Sequence, residues 1–350
     1  MKDFSFYKGK KVFVTGHTGF KGTWLSEVLS LAGAEVMGYS TYTEKPISLY
    51  QLSAVKRNIR EVKGDVRDYI SMLNAMQSFQ PDIVLHLAAQ PLVRESFARP
   101  VDTFEINVMG TVNILECVRH CDSVQSCLNV TTDKVYLNRE WVWGYREDEK
   151  LDGYDPYSNS KSCSELVTSS YKKSFFSDNH VGISTARAGN VIGGGDFAKD
   201  RIIPDCIRAA QAGRTILVRN PNSTRPYQHV LEPIFAYLLI AQRQYEDRAY
   251  ADSYNVGPDE CDCITTGELA ELFCTCWGEG QAWKAERMDG PHEANFLKLD
   301  CSKIKSTFQW SPGWHVGEAV GRTVEWTKAW QAGEDVDGVM EMQIKQYMNA

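Results

Sequence analysis

Apolar residues fall along this chain in two alternating rhythms. Short apolar runs, each closed by glycine or a polar turn, take turns with longer stretches of helical spacing. Residues 12–14 form the first run, and Gly16 cuts it off, so it reads as a buried strand ending in a tight turn. Trp24, Leu25, Val28, Leu29 and Leu31 then recur at helical spacing, and Gly33 supplies a stop. The alternation continues. It predicts strands over 34–39, 58–62, 83–87, 126–130 and 180–187. Between them it predicts a helix capped by Asp68, a long helix over 97–121, and a helix opened by Asp155-Pro156. Strands alternating with helices imply a parallel sheet covered on both faces. The predicted fold class is therefore α/β, a doubly wound parallel sheet of Rossmann type.

From about residue 188 the elements shorten. Helical patterns occupy 204–213, 232–246, 265–277 and 316–330, and strands are expected at 215–218, 228–230 and 253–256. Beyond about 333 the chain is acidic, then Met/Gln-rich, and reads as a tail or a final helix. Two domains are expected: a dinucleotide-binding domain over 1–188, and a smaller mixed α/β substrate domain over 189–350, with some chain crossing between them. The charged, tryptophan-containing segment 137–153 reads as an excursion or lid.

Composition narrows the function classes. Over 350 residues the formal net charge is −7, so bulk attraction to nucleic acid or to an anionic membrane is not expected. No apolar stretch approaches the ~18 residues of a membrane span, and the N-terminal residues show no signal-peptide pattern. The ten cysteines read as reduced residues of a cytoplasmic protein, with Cys117, Cys127, Cys163 and Cys206 in apolar segments. Cys261, Cys263, Cys274 and Cys276 form two C-x-C pairs, a spacing too tight for a zinc knuckle, so no metal is expected.

The candidate chemistry begins at the first turn. Gly16, Gly19 and Gly22 stand between strand and helix, where a glycine backbone can approach a pyrophosphate lying over the helix N-terminus. His17, Thr18 and Phe20 lie between them. His17 is bulky for such a loop. If it crowds the loop it weakens cofactor binding; otherwise it turns to solvent or bonds a phosphate. Lys21 reads as a surface residue of the helix start. Ser40, Thr41 and Tyr42 end the second strand with neither an acid for a ribose diol nor an arginine for a 2′-phosphate, which favours NAD over NADP. Asp65, beside Val66, is either an acceptor for an adenine amino group or a turn residue. Leu87, Ala88, Ala89 and Gln90 continue a strand into small residues where a ligand can pass close. Asn107 lies in the long helix. Thr131, Thr132, Asp133 and Lys134 follow a strand at its carboxyl end, the edge that faces the ligand crevice in open α/β sheets. Tyr157 and Lys161 are one helical turn apart, so a cation can stabilise a tyrosine phenolate acting as a base. Arg201, Arg208, Arg219, Arg225 and His229 cluster in an acidic chain and suggest either a diphosphate site or surface ion pairing.

Several of these stretches resemble one family. Thr15 to Gly22 (T-G-x-x-G-F-x-G), Leu87-Ala88-Ala89, Asn107, Tyr157 with Lys161, and Arg225-Pro226 resemble the extended short-chain dehydrogenase/reductases over about residues 8–330. Gly16 to Gly22, Thr131 to Tyr136, Gly189 to Asp196 and Arg225 to Pro233 are similar to the nucleotide-sugar 4,6-dehydratases within it. The resemblance implies bound NAD, CDP-glucose as substrate, and a homodimer through a four-helix bundle, or a tetramer built on it. It implies an intramolecular oxidation, elimination and reduction giving CDP-4-dehydro-6-deoxyglucose for 3,6-dideoxyhexoses of surface polysaccharide. Tyr157 would take the C4 hydroxyl proton, Lys161 would lower the tyrosine's pKa and hold the nicotinamide ribose, Thr132 would bond the C4 oxygen, and Asp133 would protonate the leaving C6 hydroxyl. Gly16 to Phe20, Gly22, Asp65, Val66, Leu87 to Ala89, Asn107 and Thr131 would line the cofactor. Gln90, Asn190, Arg201, Arg219, Arg225 and His229 would hold the substrate. The dTDP-glucose members carry Thr-Asp-Glu where this chain has Thr132-Asp133-Lys134, with Glu as the base at C5. The base here is therefore open. A nucleotide-sugar 4-epimerase and a non-catalytic dinucleotide-binding regulator are the alternatives.

Overall fold

Seven parallel strands make the central sheet of the computed structural model: β1 (Lys11–Thr15), β2 (Glu35–Ser40), β3 (Arg60–Lys63), β4 (Ile83–His86), β5 (Ser126–Val130), β6 (Gly182–Ala188) and β7 (Ser253–Val256). Their spatial order is β7-β6-β5-β4-β1-β2-β3. The order turns back between β1 and β4, so a crevice opens at the carboxyl ends of those strands. The structure describes residues 4–41, 47–177, 181–286 and 294–350. Tyr42 and His180 lie outside them.

Strands buried on both faces need an apolar cover on each. The helices that supply it are α1 (Phe20–Leu31), α2 (Tyr69–Phe79), α3 (Gly110–Arg119), α4 (Pro156–Phe175), α5 (Leu231–Glu246), α6 (Val316–Gln331) and α7 (Val336–Asn349). On one face Val12, Val14, Leu85 and Leu128 pack with Trp24 and Leu25 of α1, Ile234 and Leu238 of α5, and Met340 and Ile344 of α7. On the other, Phe13, Val84 and Cys127 pack with Met72 and Met76 of α2 and Ile114 and Val118 of α3. A third core joins Ile203, Ile207, Leu269, Phe273 and Val320 around Ile202–Gln211, Thr266–Trp277 and α6. Among the described residues no helix is long and apolar enough to cross a membrane.

The local signals act as chemistry requires. Asp68 accepts from Ser71 N at 3.0 Å and caps α2; Asp155 accepts from Ser158 N at 3.0 Å and caps α4, with Pro156 in the first turn. Several boundaries differ from the sequence expectation. The helix expected over 97–121 is broken into Val93–Ala98, Pro100–Phe104, a wide π-type turn at Glu105–Met109, and α3. Pro100 has no amide to continue the preceding turn. The strand expected from 58 begins at Arg60, because Val55–Asn58 closes a short helical turn. Chain from beyond residue 188 adds β7 to the sheet and lays α5 against β5 and β6. The C-terminal stretch is the helix α7, packed into the main core.

A buried ion pair fastens α4 to the sheet. Arg187 of β6 donates to Glu165 of α4 at 2.8 Å, with side chains 4% and 2% exposed. Thr185 donates to the same carboxylate at 2.8 Å, and Thr131 bonds its other oxygen. Arg187 also reaches Tyr136 Oη (2.8 Å), which donates to Asn255 of β7 at 2.5 Å. Removing one member of such a pair leaves the other charge buried and unpaired, a loss of about 3–5 kcal/mol. Glu165→Ala should lower stability by that amount in urea denaturation. A loss of a few tenths of a kcal/mol would show that Arg187 finds another partner.

Candidate active site

The glycine turn fits where only a glycine backbone can. Gly16 is left-handed (φ +75°), and a Cβ there would stand 2.8 Å from Ala88 N. A Cβ at Gly22 would stand 2.2 Å from Gly16 O. The ends of β1 and β4 are thereby held together, and Thr15 Oγ1 accepts from Leu87 N and Ala88 N at 3.1 and 3.2 Å. Gly19 is the N-cap of α1, and no side chain caps that first turn. The amides there are free to meet an anion.

The reactive groups gather across the crevice. Thr132 Oγ1 donates to Asp133 Oδ1 at 3.0 Å, and Asn190 Nδ2 donates to Oδ2 at 2.9 Å. Asp133 is 1% exposed. Tyr157, in the first turn of α4, hydrogen-bonds with Thr132. Burial pushes its phenol up to about 12, the Thr132 bond opposes this, Asp133 adds to it, and the Arg201 charge opposes it. Lys161 follows one turn later, is buried, and donates to Val130 O at 3.1 Å. Burial brings its ammonium down to about 8, against the pull of Glu165. Lys134 is half-buried at the rim. Tyr157, Thr132, Asp133, Lys161 and Asn190 thus form one constellation.

Other candidates are held in structural bonds. Asn107 sits in the π-type turn, accepts from Gln90 N at 2.8 Å and donates to Gln90 O and to Ser160 of α4. It ties the loop of Ala88, Ala89 and Gln90 to the catalytic helix. The Gln90 side chain turns to Thr103 and Leu92. The Thr131 hydroxyl faces Glu165, in the buried ion-pair network. Val66 packs under Gly110, and both Asp65 carboxylate oxygens accept from Arg67. Thr18 Oγ1 meets Ser40 Oγ at 2.8 Å, at the end of β2. Phe20 packs towards Gly193.

His17 neither reaches solvent nor stands over the loop. It is fully buried, lies across Gly38 and meets the Tyr50 ring edge-on at 5.2 Å. Burial lowers its imidazole to about 4, so it is neutral near pH 7. His229 is also a core residue, between Trp24 and Trp314, and burial lowers it to about 3. Arg225 is buried and donates to the carbonyls of Thr224 and Ala294. Arg201 pairs with Asp196 at 3.1 Å, Arg219 with Asp200 at 3.5 Å, and Arg208 with Asp205. Of these, Arg201 has a charge felt by Tyr157.

Sequence reasoning placed Lys21 at the surface, and the structure corrects this. Lys21 is half-buried, and its Nζ donates to Tyr237 Oη of α5 at 3.1 Å. Its nearest influential charges are Arg201, Lys161 and Asp133. Tyr237 lies within an unbroken apolar run, and no pattern in that run marks it. Elsewhere Cys261, Asp262 and His315 bring ligand atoms within 4.8 Å of one another. Asp262 there already accepts from His315 Nδ1 at 2.8 Å and from Val316 N at 3.0 Å.

Comparison with known proteins agrees with this geometry. The family model described as GDP-mannose 4,6 dehydratase matches residues 13–323. The chain is 47% identical to the CDP-glucose 4,6-dehydratase of Salmonella typhimurium, over 100% of this chain and 99% of that protein. Its fold is similar to that of the epimerase Mth375 of Methanothermobacter thermautotrophicus (TM-score 0.83, 22% identity, 94% and 95% of the two chains). It is also similar to the dTDP-glucose 4,6-dehydratase of Bacillus anthracis, solved in complex with NAD (TM-score 0.77, 19% identity, 95% and 100% covered).

The tightest contact in the constellation is at Gly189, where a Cβ would fall 2.0 Å from the Asp133 carboxyl. Gly189→Ala should therefore cost about 1–3 kcal/mol in thermal denaturation, as overpacking does. The double variant Gly189→Ala/Asp133→Ala should lose less than Gly189→Ala, because the clash is gone. Equal losses would mean that the carboxyl does not set the need for glycine.

Proposed function

This chain belongs to the GDP-mannose 4,6 dehydratase family of extended short-chain dehydrogenase/reductases, and from that premise we propose that it is an NAD-dependent 4,6-dehydratase of CDP-glucose. The observation that carries the reading is Asp133, a buried carboxyl linked through Thr132 to Tyr157. A 4-epimerase needs no acid at C6. The relative that matches over the full length is named for the same activity.

The residues present fit the cofactor. The uncapped first turn of α1, the left-handed Gly16 and the small residues Ala88 and Ala89 leave backbone where a dinucleotide passes. That backbone would hold NAD, which would supply the hydride acceptor and donor for sugar C4 and C6. The chain's own groups handle the protons. Tyr157 takes the proton of the C4 hydroxyl, and the Lys161 charge stabilises the phenolate. Thr132 bonds the C4 oxygen. The ketone at C4 makes the C5 proton acidic, and its loss expels the C6 hydroxyl, which Asp133 protonates. Asp133 is then one proton short and Tyr157 one in excess, and the Thr132 hydroxyl lies between them. Asn190 orients the carboxyl from its other oxygen. Arg201 and Arg219, near the crevice loops, would meet the diphosphate.

The working form in this reading is a dimer. Phe97, Val101, Phe104, Met109 and Leu166 are exposed apolar residues on Val93–Ala98, the Pro100–Met109 turns and α4. The same helices of a second copy would cover them and make a four-helix bundle. Free cysteines throughout fit a cytoplasmic enzyme supplying 3,6-dideoxyhexoses.

The test is direct. CDP-glucose with catalytic NAD⁺ should give a 4-keto-6-deoxy sugar. Epimerisation of UDP-glucose in its place would overturn the reading. Asp133→Asn should still reduce the cofactor on CDP-glucose while water loss stalls; unchanged turnover removes Asp133 from the acid role. Tyr157→Phe should slow the oxidation step by about 10²–10⁴-fold. Because burial holds this phenol high, at about 12 in the free protein, the base form grows as pH rises. The oxidation rate should therefore climb with pH in the wild type and stay flat in Tyr157→Phe. A pH-independent wild-type rate would assign the base elsewhere.

A further inference from the structure

Two cysteines one residue apart rarely grip one ion together, and the fold gives Cys261 and Cys263 different partners. Cys263 Sγ donates to Asp259 O at 3.8 Å, whereas Cys261 Sγ donates to Asp262 Oδ2 at 3.9 Å. His315, 53 residues beyond Asp262, sets its Nδ1 at 2.8 Å from that same oxygen. The ligand atoms of Cys261, Asp262 and His315 all lie within 4.8 Å of one another. The other oxygen of Asp262 accepts from Val316 N, the first amide of α6, at 3.0 Å. The carboxylate is thus oriented from behind, as ligating carboxylates are. Its side chain is 6% exposed and that of His315 76%, and Cys261 is exposed, so the group opens to solvent on one side. The surrounding charges leave Asp262 without a fixed counter-charge. Asp259 is paired with Lys305, and Glu260 with Lys298 at 3.0 Å. Among the described residues the ionic partner of Asp262 is His315, and an imidazole is charged only while it holds a proton. A buried carboxylate is costly without a cation beside it.

We propose that Cys261, Asp262 and His315 form a binding site for a divalent cation of the zinc class. Thiolate, imidazole and carboxylate together make a borderline-soft donor set, which suits zinc rather than magnesium or calcium. Around a tetrahedral zinc ion, sulfur and carboxylate oxygen stand about 3.5 Å apart, and nitrogen and oxygen about 3.3 Å. The distances of 3.9 and 2.8 Å bracket these values. The exposed side chains of Cys261 and His315 close the difference by moving about half an ångström. The ion displaces the thiol proton, and any proton on His315, to solvent. Three protein ligands leave the fourth position to water on the open side. The site takes no part in the dehydration and stands independently of that reading. Its effect is mechanical. Cys261 and Asp262 lie in the turn Glu260–Asp262, which runs into the strand Cys263–Thr265; that strand pairs with Thr224–Pro226, which carries Arg225. His315 is the N-cap of α6. A bound ion therefore cross-links the strand pair that holds Arg225 to the start of α6.

The experiment uses the untagged full chain with its cofactor, its thiols reduced and its metals stripped by a chelator. The protein is titrated with Co²⁺, a spectroscopic stand-in for Zn²⁺. One equivalent should bring up a thiolate-to-cobalt charge-transfer band, and one equivalent of Zn²⁺ should bleach it. Cys261→Ser should abolish the band. His315→Gln should weaken Co²⁺ binding by at least about 10-fold, since even outer-shell partners of a metal cost that much. Both side chains are exposed, so these variants keep the fold. Cys263→Ser and Cys276→Ser should bind as the wild type does. Zn²⁺ at about a hundredfold excess over its Kd should raise the melting temperature of the wild type by about 4 °C and leave that of Cys261→Ser unmoved. Absence of the band in the wild type overturns the proposal. So does a band that persists in Cys261→Ser, which places the thiolate elsewhere. Unchanged affinity in His315→Gln overturns it too, because a single exposed thiol then accounts for the binding. Equal rises in melting temperature for the wild type and Cys261→Ser, or one ion held between two chains, likewise overturn it.

Discussion

The ion pair between Glu165 and Arg187 is the contact on which the site's geometry depends. Two opposite charges out of water must satisfy each other and every remaining donor and acceptor around them. Here the carboxylate is met by Arg187, Thr185 and Thr131, and the guanidinium goes on to Tyr136 and the Glu147 carbonyl. These partners come from α4, from β6, from the end of β5 and from the excursion after it. A pair of this kind tolerates little displacement. It therefore sets the distance between the helix that carries Tyr157 and Lys161 and the strand end that carries Thr132 and Asp133.

A second constraint comes from small residues. Gly16 meets Ala88, Gly22 meets Gly16, Gly38 lies under His17, and Gly189 lies against Asp133. Each contact replaces a side chain with backbone or with a functional group at van der Waals range. The crevice is thus shaped from one side by buried charge and from the other by missing Cβ atoms. Asn107 joins the two halves, since its amide bonds both the loop after β4 and Ser160 of α4. Its π-type turn breaks the regular helix, as such turns often do at functional sites.

The parallel sheet was legible because its strands are short apolar runs closed by glycine, and the signal repeats with each strand–helix unit. Thr132, Asp133, Tyr157 and Lys161 were legible because strand ends and helical spacing place them without tertiary knowledge. What could not be read was direction across the third dimension. Lys21 at a helix start looks solvated, and only packing of α5 against α1 and the sheet turns it inward. Tyr237 in Ile234-Phe235-Ala236-Tyr237-Leu238 is indistinguishable from core. His229 and Arg225 looked like phosphate ligands by charge type, yet burial neutralises one and backbone carbonyls absorb the other. The single helix expected over 97–121 ran through Pro100, a residue with no amide to continue the preceding turn, and the structure breaks there.

The electrostatics explain why an acidic protein can serve an anionic substrate. The net charge of −7 is a property of the whole chain, while the charges that act on Lys21 are those of Arg201, Lys161 and Asp133. Burial acts on these groups in opposite directions. It lowers Lys21 and Lys161 towards neutral amines and raises Tyr157 away from phenolate. At neutral pH the free protein therefore holds Tyr157 as the phenol, Lys161 still mostly as the ammonium, and Lys21 divided between its two forms. Loading shifts these balances: a diphosphate favours the ammonium forms, and a cationic ring beside Tyr157 favours the phenolate. Reactivity is then conditional on loading, because the same low-dielectric walls that suppress charge in the empty hollow strengthen its pairing in the filled one.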